Sequence, residues 1–450
     1  MRASRTLTLG AALVLVGGCG GGVSDSSTAD ASLHSVMRSA HITPLEVGSK
    51  PAVAKVELGR ALMFDKLLSG NRDISCATCH HPLLHMGDGL PVSIGTGGAG
   101  LGPARVRGAG RNLIPRNAPE VFDRGAPLWT SMFWDSRVTG SPAAGFSTPA
   151  HAALPAGLES ILAAQAMFPV TSRDEMRGAR GDVDVLGQPN EVAALADNDF
   201  TGIWAALMQR VLAIPEYVTL FNMSFPDVAS GQLGFQHAAN AIAAFEVDAC
   251  TLLDSAWDRY VAGDANALSE NAKQGAMLFF GKAGCSDCHS GNLFTDQQHH
   301  DIAIPQLGPG KGSEAPLDYG RGRETGLAAD RYKFRTPPLR NVAVTGPWMH
   351  DGAYATLEGA VRHHLDPATS LRNYNVMQNA PALVSTYQGD PITLAAILAN
   401  LDPLTAKPRS LADAEVNDLL TFLEALTAPD AMDMSKAIPD SVPSGLPVRD

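Results

Sequence analysis

Cys76-Ala77-Thr78-Cys79-His80 and Cys285-Ser286-Asp287-Cys288-His289 share one pattern, Cys-x-x-Cys-His, which the chain carries twice. This pattern attaches c-type haem. The two thiols form thioethers to the porphyrin, and the adjacent imidazole lies under the ring as an iron ligand. Cys-x-x-Cys also serves as a thioredoxin-like thiol pair or as half of a zinc site, but neither use requires a His directly after both pairs. Two covalently bound c-type haems are therefore expected, one through Cys76, Cys79 and His80 and one through Cys285, Cys288 and His289.

The chain has 450 residues, enough for two or three domains. Its net charge is -12 and it has no basic runs, which argues against nucleic acid as a partner. The haem motifs use four of the six cysteines. Cys250 falls in an apolar helical stretch and reads as a buried thiol. Cys19 ends an N-terminal stretch with a charged start (Arg2, Arg5), an apolar core from Leu7 to Val16 too short to span a bilayer, and small residues Gly17-Gly18. An ordinary signal peptide containing a Cys is one reading of residues 1–18. The other is a lipoprotein signal, because Leu15-Val16-Gly17-Gly18-Cys19 resembles a bacterial lipobox. Export to the periplasm, with a lipid anchor at Cys19, agrees with haem attachment outside the cytoplasm. No later segment is apolar for long enough to cross a membrane. Residues 19–43 are Gly/Ser/Asp-rich and read as a flexible tether, and 430–450 as a flexible tail.

Helical periodicity precedes each haem motif, at Val56, Leu58, Leu62 and Met63 and at Ala272, Ala276, Leu278 and Phe279, the latter after a Ser269 cap. It predicts further helices over Phe200–Leu212, Gly234–Cys250 and from Ser410 onward, where Val416, Leu419, Leu420, Leu423 and Leu426 form one apolar stripe. Pro91–Pro127 and Ile304–Gly326 are Gly/Pro-rich loops. The expected fold is mostly α: two c-type cytochrome domains, 44–263 and 264–429, each with one covalently bound haem, packed around a domain interface.

Several blocks, in order, resemble the bacterial dihaem cytochrome c peroxidase and MauG family. They are Leu58-Gly59-Arg60-Ala61-Leu62-Met63-Phe64-Asp65, Leu68-Ser69, Ser93-Ile94-Gly95, Arg116-Asn117-Ala118-Pro119 and Phe133-Trp134-Asp135-Ser136-Arg137. After the second haem motif come Phe294-Thr295-Asp296, Phe334-Arg335-Thr336-Pro337-Pro338-Leu339-Arg340-Asn341-Val342 and Thr345-Gly346-Pro347-Trp348-Met349-His350-Asp351-Gly352. The resemblance implies one haem with an open distal face and a general acid–base that moves a proton between the oxygens of peroxide. The family places a Glu there, with a Gln ten residues earlier and a Pro between. Gln165, Pro169 and Glu175 stand at that spacing, so Glu175 is the implied acid–base and Gln165 its polar neighbour. Apart from the resemblance, Glu175 in a charged run would be a solvated residue.

Many members carry a His after Ser-Ile-Gly that blocks the resting reactive haem. Thr96 stands at that position and is not a competent haem ligand, so the His80 haem is expected to be open. His81 and His85 are the nearby imidazoles that would otherwise serve. For the second haem the family's sixth ligand lies fourteen residues after the His of His-Asp-Gly, as Met in peroxidases and Tyr in MauG-type enzymes. His364 occupies this register, beside His363; the other reading is that both lie on the polar face of a helix. The resemblance also makes Trp134 an electron relay between the haems, a role compatible with core packing. It implies a calcium ion held by the Asn117 side chain and the Thr345 and Pro347 carbonyls, with water completing the shell. The spacing from Trp134 to Glu175 is about twenty residues longer than the family's usual one; the extra residues, around Thr139–Leu158, read as a surface loop or a lid, with the loop favoured.

The implied activity is reduction of hydrogen peroxide to water with electrons from a small periplasmic carrier of cytochrome c or cupredoxin type. Thr96 and His364 lean toward an alternative, MauG-like oxidation of a protein or small organic substrate through a high-valent haem state. A non-enzymatic dihaem electron-transfer cytochrome is the third reading. Family peroxidases are often homodimers, though no patch in the sequence marks such an interface.

Overall fold

The computed structural model describes residues 25–449; the export signal and Cys19 lie outside the described residues. The fold is mostly helical, with two small antiparallel sheets among these residues. Two large apolar cores organise it. Leu58, Phe64, Leu162, Phe221 and Phe245 belong to the first. Trp257, Phe279, Phe294, Leu419 and Phe422 belong to the second.

Both cores repeat one arrangement. Helix Val53–Phe64 leads into the first haem motif and is crossed by helix Phe235–Cys250. Helix Glu270–Phe280 leads into the second motif and is crossed by helix Asp413–Glu424. Each leading helix places a glycine at the crossing. A Cβ on Gly59 would strike the Ala241 carbonyl, and one on Gly275 the Asp418 carbonyl. The missing side chains let the helix backbones approach closely. Phe245 and Phe422, each four residues beyond the carbonyl in question, close the gap beside the glycine, so the two crossings match residue for residue. Helix starts are set by local chemistry: Ser269 Oγ accepts from the Ala272 N–H at 3.2 Å, and the Glu415 carboxylate accepts from the Ala412 N–H at 2.8 Å.

The two ends of the described chain correct two expectations. The stretch expected to be a tether is helical over Asp25–Ser39, with Leu33 and Met37 buried in the second core. Lys273 pairs with Asp30 at 2.9 Å, and the Tyr260 hydroxyl donates to the same carboxylate at 3.0 Å. A few well-spaced apolar residues suffice to dock this helix despite its polar composition. The stretch expected to be a tail packs on the first core through Ala431, Met434 and Val442. There Ser444 Oγ donates to the buried Asp65 carboxylate at 2.7 Å, which also takes the Tyr217 hydroxyl at 2.7 Å. The ends are thus exchanged: the front of the chain serves the second core and the back serves the first. Trp257 and Tyr260, assigned to the first domain by a boundary at 263, belong to the second core, because the helix capped by Ser255 already packs there.

The extra residues after Trp134 begin as a small hairpin whose tip is exposed. Val138–Ser141 pairs with Gly145–Ser147 and is extended by Ser131–Met132. The hairpin lies beside helix Ile161–Ala166, with Phe146 and Leu154 packed on the first core.

The two Gly/Pro-rich loops meet between the cores. Arg116 from the first loop donates twice to Asp318 of the second, at 2.7 and 2.9 Å, and once to Asp135 at 2.6 Å. A second junction joins Arg340 to Asp123 at 2.6 Å and to Asp258 at 2.7 Å. All these groups are buried or nearly so, which gives the pairs a geometry-dependent strength that surface pairs lack.

Candidate active site

Cys76, Cys79 and His80 open onto a cavity of ≈ 1080 Å³ that Gln165 and Glu175 also line. The side chains fit the haem that the motif implies. His80 Nδ1 donates to the Met86 carbonyl at 3.3 Å, which fixes the ring and leaves Nε2 for a metal. Burial lowers the His80 pKa and keeps the imidazole in its neutral, metal-binding form. Among the described residues His80 is the only imidazole in this cavity wall. His81 Nδ1 accepts from the Leu83 N–H at 3.2 Å, and His85 Nδ1 donates to the Ala431 carbonyl at 2.9 Å. Thr96 is buried, its hydroxyl donating to Asp73 at 2.9 Å and accepting from Asn71 at 3.0 Å.

Glu175 sits in a single π-helical turn, Arg173–Arg177. Such turns occur disproportionately at functional sites. Three consecutive carbonyls of this turn are pinned from outside. Glu175 accepts from the Thr96 N–H at 2.9 Å, Met176 from the Gly70 N–H at 2.7 Å, and Arg177 from Asn190 Nδ2 at 2.9 Å. Gly95 lies so close that a Cβ there would strike the Asp174 carbonyl. The loop that could have carried a blocking His therefore positions the turn that carries Glu175.

Burial raises the Glu175 pKa, while Arg137 and Lys311 pull it down and Asp174 pushes it up. Arg137 and Lys311 belong to a buried charge cluster: both bind Asp135, at 3.0 and 2.9 Å, which Arg116 also binds at 2.6 Å. Burial and repulsion from Arg116 and Arg137 bring the Lys311 pKa down to about 8. A desolvated carboxyl facing fixed cations feels opposed pulls on its proton, the setting in which an acid–base group can both take a proton and give it back.

The second cavity is lined by Cys285, Cys288, His289 and His364. His289 Nδ1 donates to the Phe294 carbonyl at 3.1 Å and His364 Nδ1 to the Ala360 carbonyl at 2.8 Å. Both rings therefore keep Nε2 for a metal. Their centroids are 6.1 Å apart. Two imidazoles sharing one ion through nitrogen bonds of about 2 Å would stand about 6 Å apart, centroid to centroid. Burial holds both neutral, with His289 down at about 4. His363 differs, because both of its nitrogens are occupied, by the Tyr354 hydroxyl at 2.7 Å and by the Ile302 carbonyl at 2.7 Å. In haem-loaded His364→Ala protein, the low-spin signal of one haem is expected to become high-spin in the absorption and EPR spectra. An unchanged spectrum would exclude His364 as its ligand.

Trp134 lines both cavities. Its indole N–H donates to the Asn117 carbonyl at 3.0 Å, and its own carbonyl accepts from the Arg335 N–H at 2.8 Å. Asn117, Thr345 and Pro347 share the wall of the second cavity. Asn117 Nδ2 donates to the Leu90 carbonyl at 2.7 Å, turning the amide oxygen away from that bond and leaving it as an acceptor suited to a hard cation. The sequence reading gave no role to Lys311 or Arg137. A lone Lys in a glycine-rich loop carries no spacing signal. Arg137 was visible only as a letter in a family block.

A family profile described as di-haem cytochrome c peroxidase matches residues 53–266. The methylamine utilization protein MauG of Methylorubrum extorquens is 30% identical over 382 residues, covering 84% of this chain and 79% of that protein. The cytochrome c551 peroxidase of Pseudomonas aeruginosa is 32% identical over 305 residues, covering 68% of this chain and 70% of the relative. A crystal structure of a MauG-like protein associated with microbial copper homeostasis aligns with TM-score 0.60 and 26% identity, over 89% of this chain and 97% of that one.

Proposed function

Because the chain belongs to the dihaem cytochrome c peroxidase and MauG family, we propose that it reduces hydrogen peroxide to water with electrons from a small periplasmic carrier protein of cytochrome c or cupredoxin type. The observation that carries this reading is the inequality of the two cavities. One imidazole faces Glu175 and Gln165 in the first, whereas two imidazoles face each other in the second. Each haem, when bound, supplies a redox iron, and the His80 one has room for peroxide. Glu175 takes a proton from the bound peroxide and returns it to the departing oxygen, so that water leaves. Gln165 orients the peroxide by hydrogen bonding. His289 and His364 would hold the second haem between them, and such a pair would supply an electron store at a lower potential than a His/Met pair. Trp134 relays electrons between the two. Asn117, Thr345 and Pro347 would hold a calcium ion, with water completing the shell. The protein works in the periplasm, lipid-anchored through Cys19; no helix among the described residues is long and apolar enough to cross a membrane.

Thr96 and His364 favour a second reading, MauG-like oxidation of a protein or organic substrate, since both depart from the usual peroxidase pattern. EPR of the ferric protein, followed by stoichiometric peroxide and then a turnover assay with reduced cytochrome c, decides among the readings. A high-spin signal that is lost with peroxide, together with sustained turnover, is the expected result. A long-lived oxidised state without turnover would favour the second reading. Absence of any high-spin signal and of any reaction would leave an electron-transfer cytochrome.

A further inference from the structure

We propose that Lys311, carried into the His80 cavity by the loop of the second domain, is a positioning residue that holds Glu175 as the carboxylate and so sets the pH range in which this site can accept a proton. The inference rests on the reading of Glu175 as the acid–base group. Lys311, Arg137 and Glu175 line one cavity. The Lys311 ammonium is mostly enclosed and donates to Asp135 Oδ2 at 2.9 Å. Asp135 is fully buried and also binds Arg116 and Arg137. Arg116 in turn holds Asp318 with two hydrogen bonds. Around Asp135 and Asp318, Arg116, Arg137 and Lys311 thus outnumber the carboxylates they bind, and Glu175 is a further carboxyl on the wall that Arg137 and Lys311 share.

Other charged groups share this wall: Glu324, and the buried Arg335, which faces Glu120 and Asp135 and donates to the Phe133 carbonyl at 3.0 Å. Asp174, next to Glu175, opposes the carboxylate but is bound by Asn112 at 3.1 Å on the exposed side. Arg173 pairs with Asp197, Arg323 with Glu314 at 2.9 Å, and Glu120 with Arg124 at 2.8 Å. Glu246 is a buried acid whose pKa is pushed up to about 8 by desolvation, so it is uncharged at neutral pH. Arg137 and Arg116 cannot surrender their charge, whereas a lysine in this setting can. Of the three cations that bind Asp135, Lys311 is therefore the one whose charge can change near working pH, and it belongs to the domain that stores electrons.

The test is infrared titration of the protonated Glu175 carboxyl band in haem-loaded protein, assigned by its loss in Glu175→Gln, alongside the pH profile of peroxide turnover. Lys311→Gln keeps a donor for Asp135 but removes the charge. It is expected to move the band's midpoint, and the acid limb of kcat/KM, upward by about one pH unit or more. Lys311→Arg is expected to restore both to wild type. A wild-type midpoint in Lys311→Gln would overturn the proposal. So would a Lys311→Gln protein that loads no haem, since that would make the lysine a folding requirement instead. If Glu175→Gln retains full turnover, the acid–base reading fails by itself, and the band midpoint still reports whether Lys311 governs the Glu175 charge.

Discussion

Glu175→Gln is expected to lower peroxide turnover about 100- to 10,000-fold, with both haems still attached and the low-spin spectrum of the second unchanged. The amide matches the carboxyl in size, so the π-helical turn, its three pinned carbonyls and the cavity shape are preserved. What is lost is a group able to take a proton and give it back. The loss should appear in kcat and in kcat/KM together, as for an interaction made only in the transition state. The wild-type pH profile should show the matching acid limb. Burial raises the Glu175 pKa, so activity falls as pH drops through a value above the ordinary carboxylate range. A variant that turned over peroxide at the wild-type rate would remove Glu175 from the mechanism.

The second large effect is structural. Arg116→Ala should destabilise the protein by about 3–5 kcal/mol, the cost of stripping one partner from a buried charge pair. Asp318 is the residue stranded, because Arg116 provides the guanidinium that holds its carboxyl far below the ordinary value. Asp135 is spared by Arg137 and Lys311, which remain bound. The pH signature follows from the direction of the shift. A carboxylate with a depressed folded-state pKa stabilises fully above the ordinary value of about 3.9, and its contribution fades as pH falls below that toward the depressed value. Wild type should therefore lose this increment only in strong acid, and Arg116→Ala should lack it at neutral pH. Denaturant midpoints of the haem-loaded proteins, followed separately by haem absorbance and by far-UV dichroism, measure it. Equal midpoints at neutral pH would show that the Arg116 junction adds nothing.

Much of this was legible in the sequence because it depends on local spacing. The haem motifs follow from the fixed Cys-x-x-Cys-His spacing, the helix over Phe200–Leu212 and the apolar stripe after Ser410 from short-range periodicity, and the structure places helices at Phe200–Leu212 and Asp413–Glu424. The pairing of Gln165 with Glu175 and the register of His364 came from the family resemblance, not from chemistry visible in either residue. What was not legible depends on chain segments far apart in sequence. Lys311 meets Asp135 only once the two loops are laid together. Leu33 and Met37 lie in a run whose composition reads as a tether, and their burial depends on a surface presented by helix Glu270–Phe280. The tail was misread for the same reason, since Val442 and Ser444 find their partners at the opposite end of the chain.

The exchanged ends also have a mechanical meaning. A pull applied between the first and last described residues would enter the second domain at helix Asp25–Ser39 and the first domain at the segment around Ser444. Tension would therefore run across the seam held by Arg116 and Arg340. As long as both arms stay docked the seam carries the load, and peeling of either arm would relieve it, which ties the cohesion of the two haem sites to the docking of the chain's own ends.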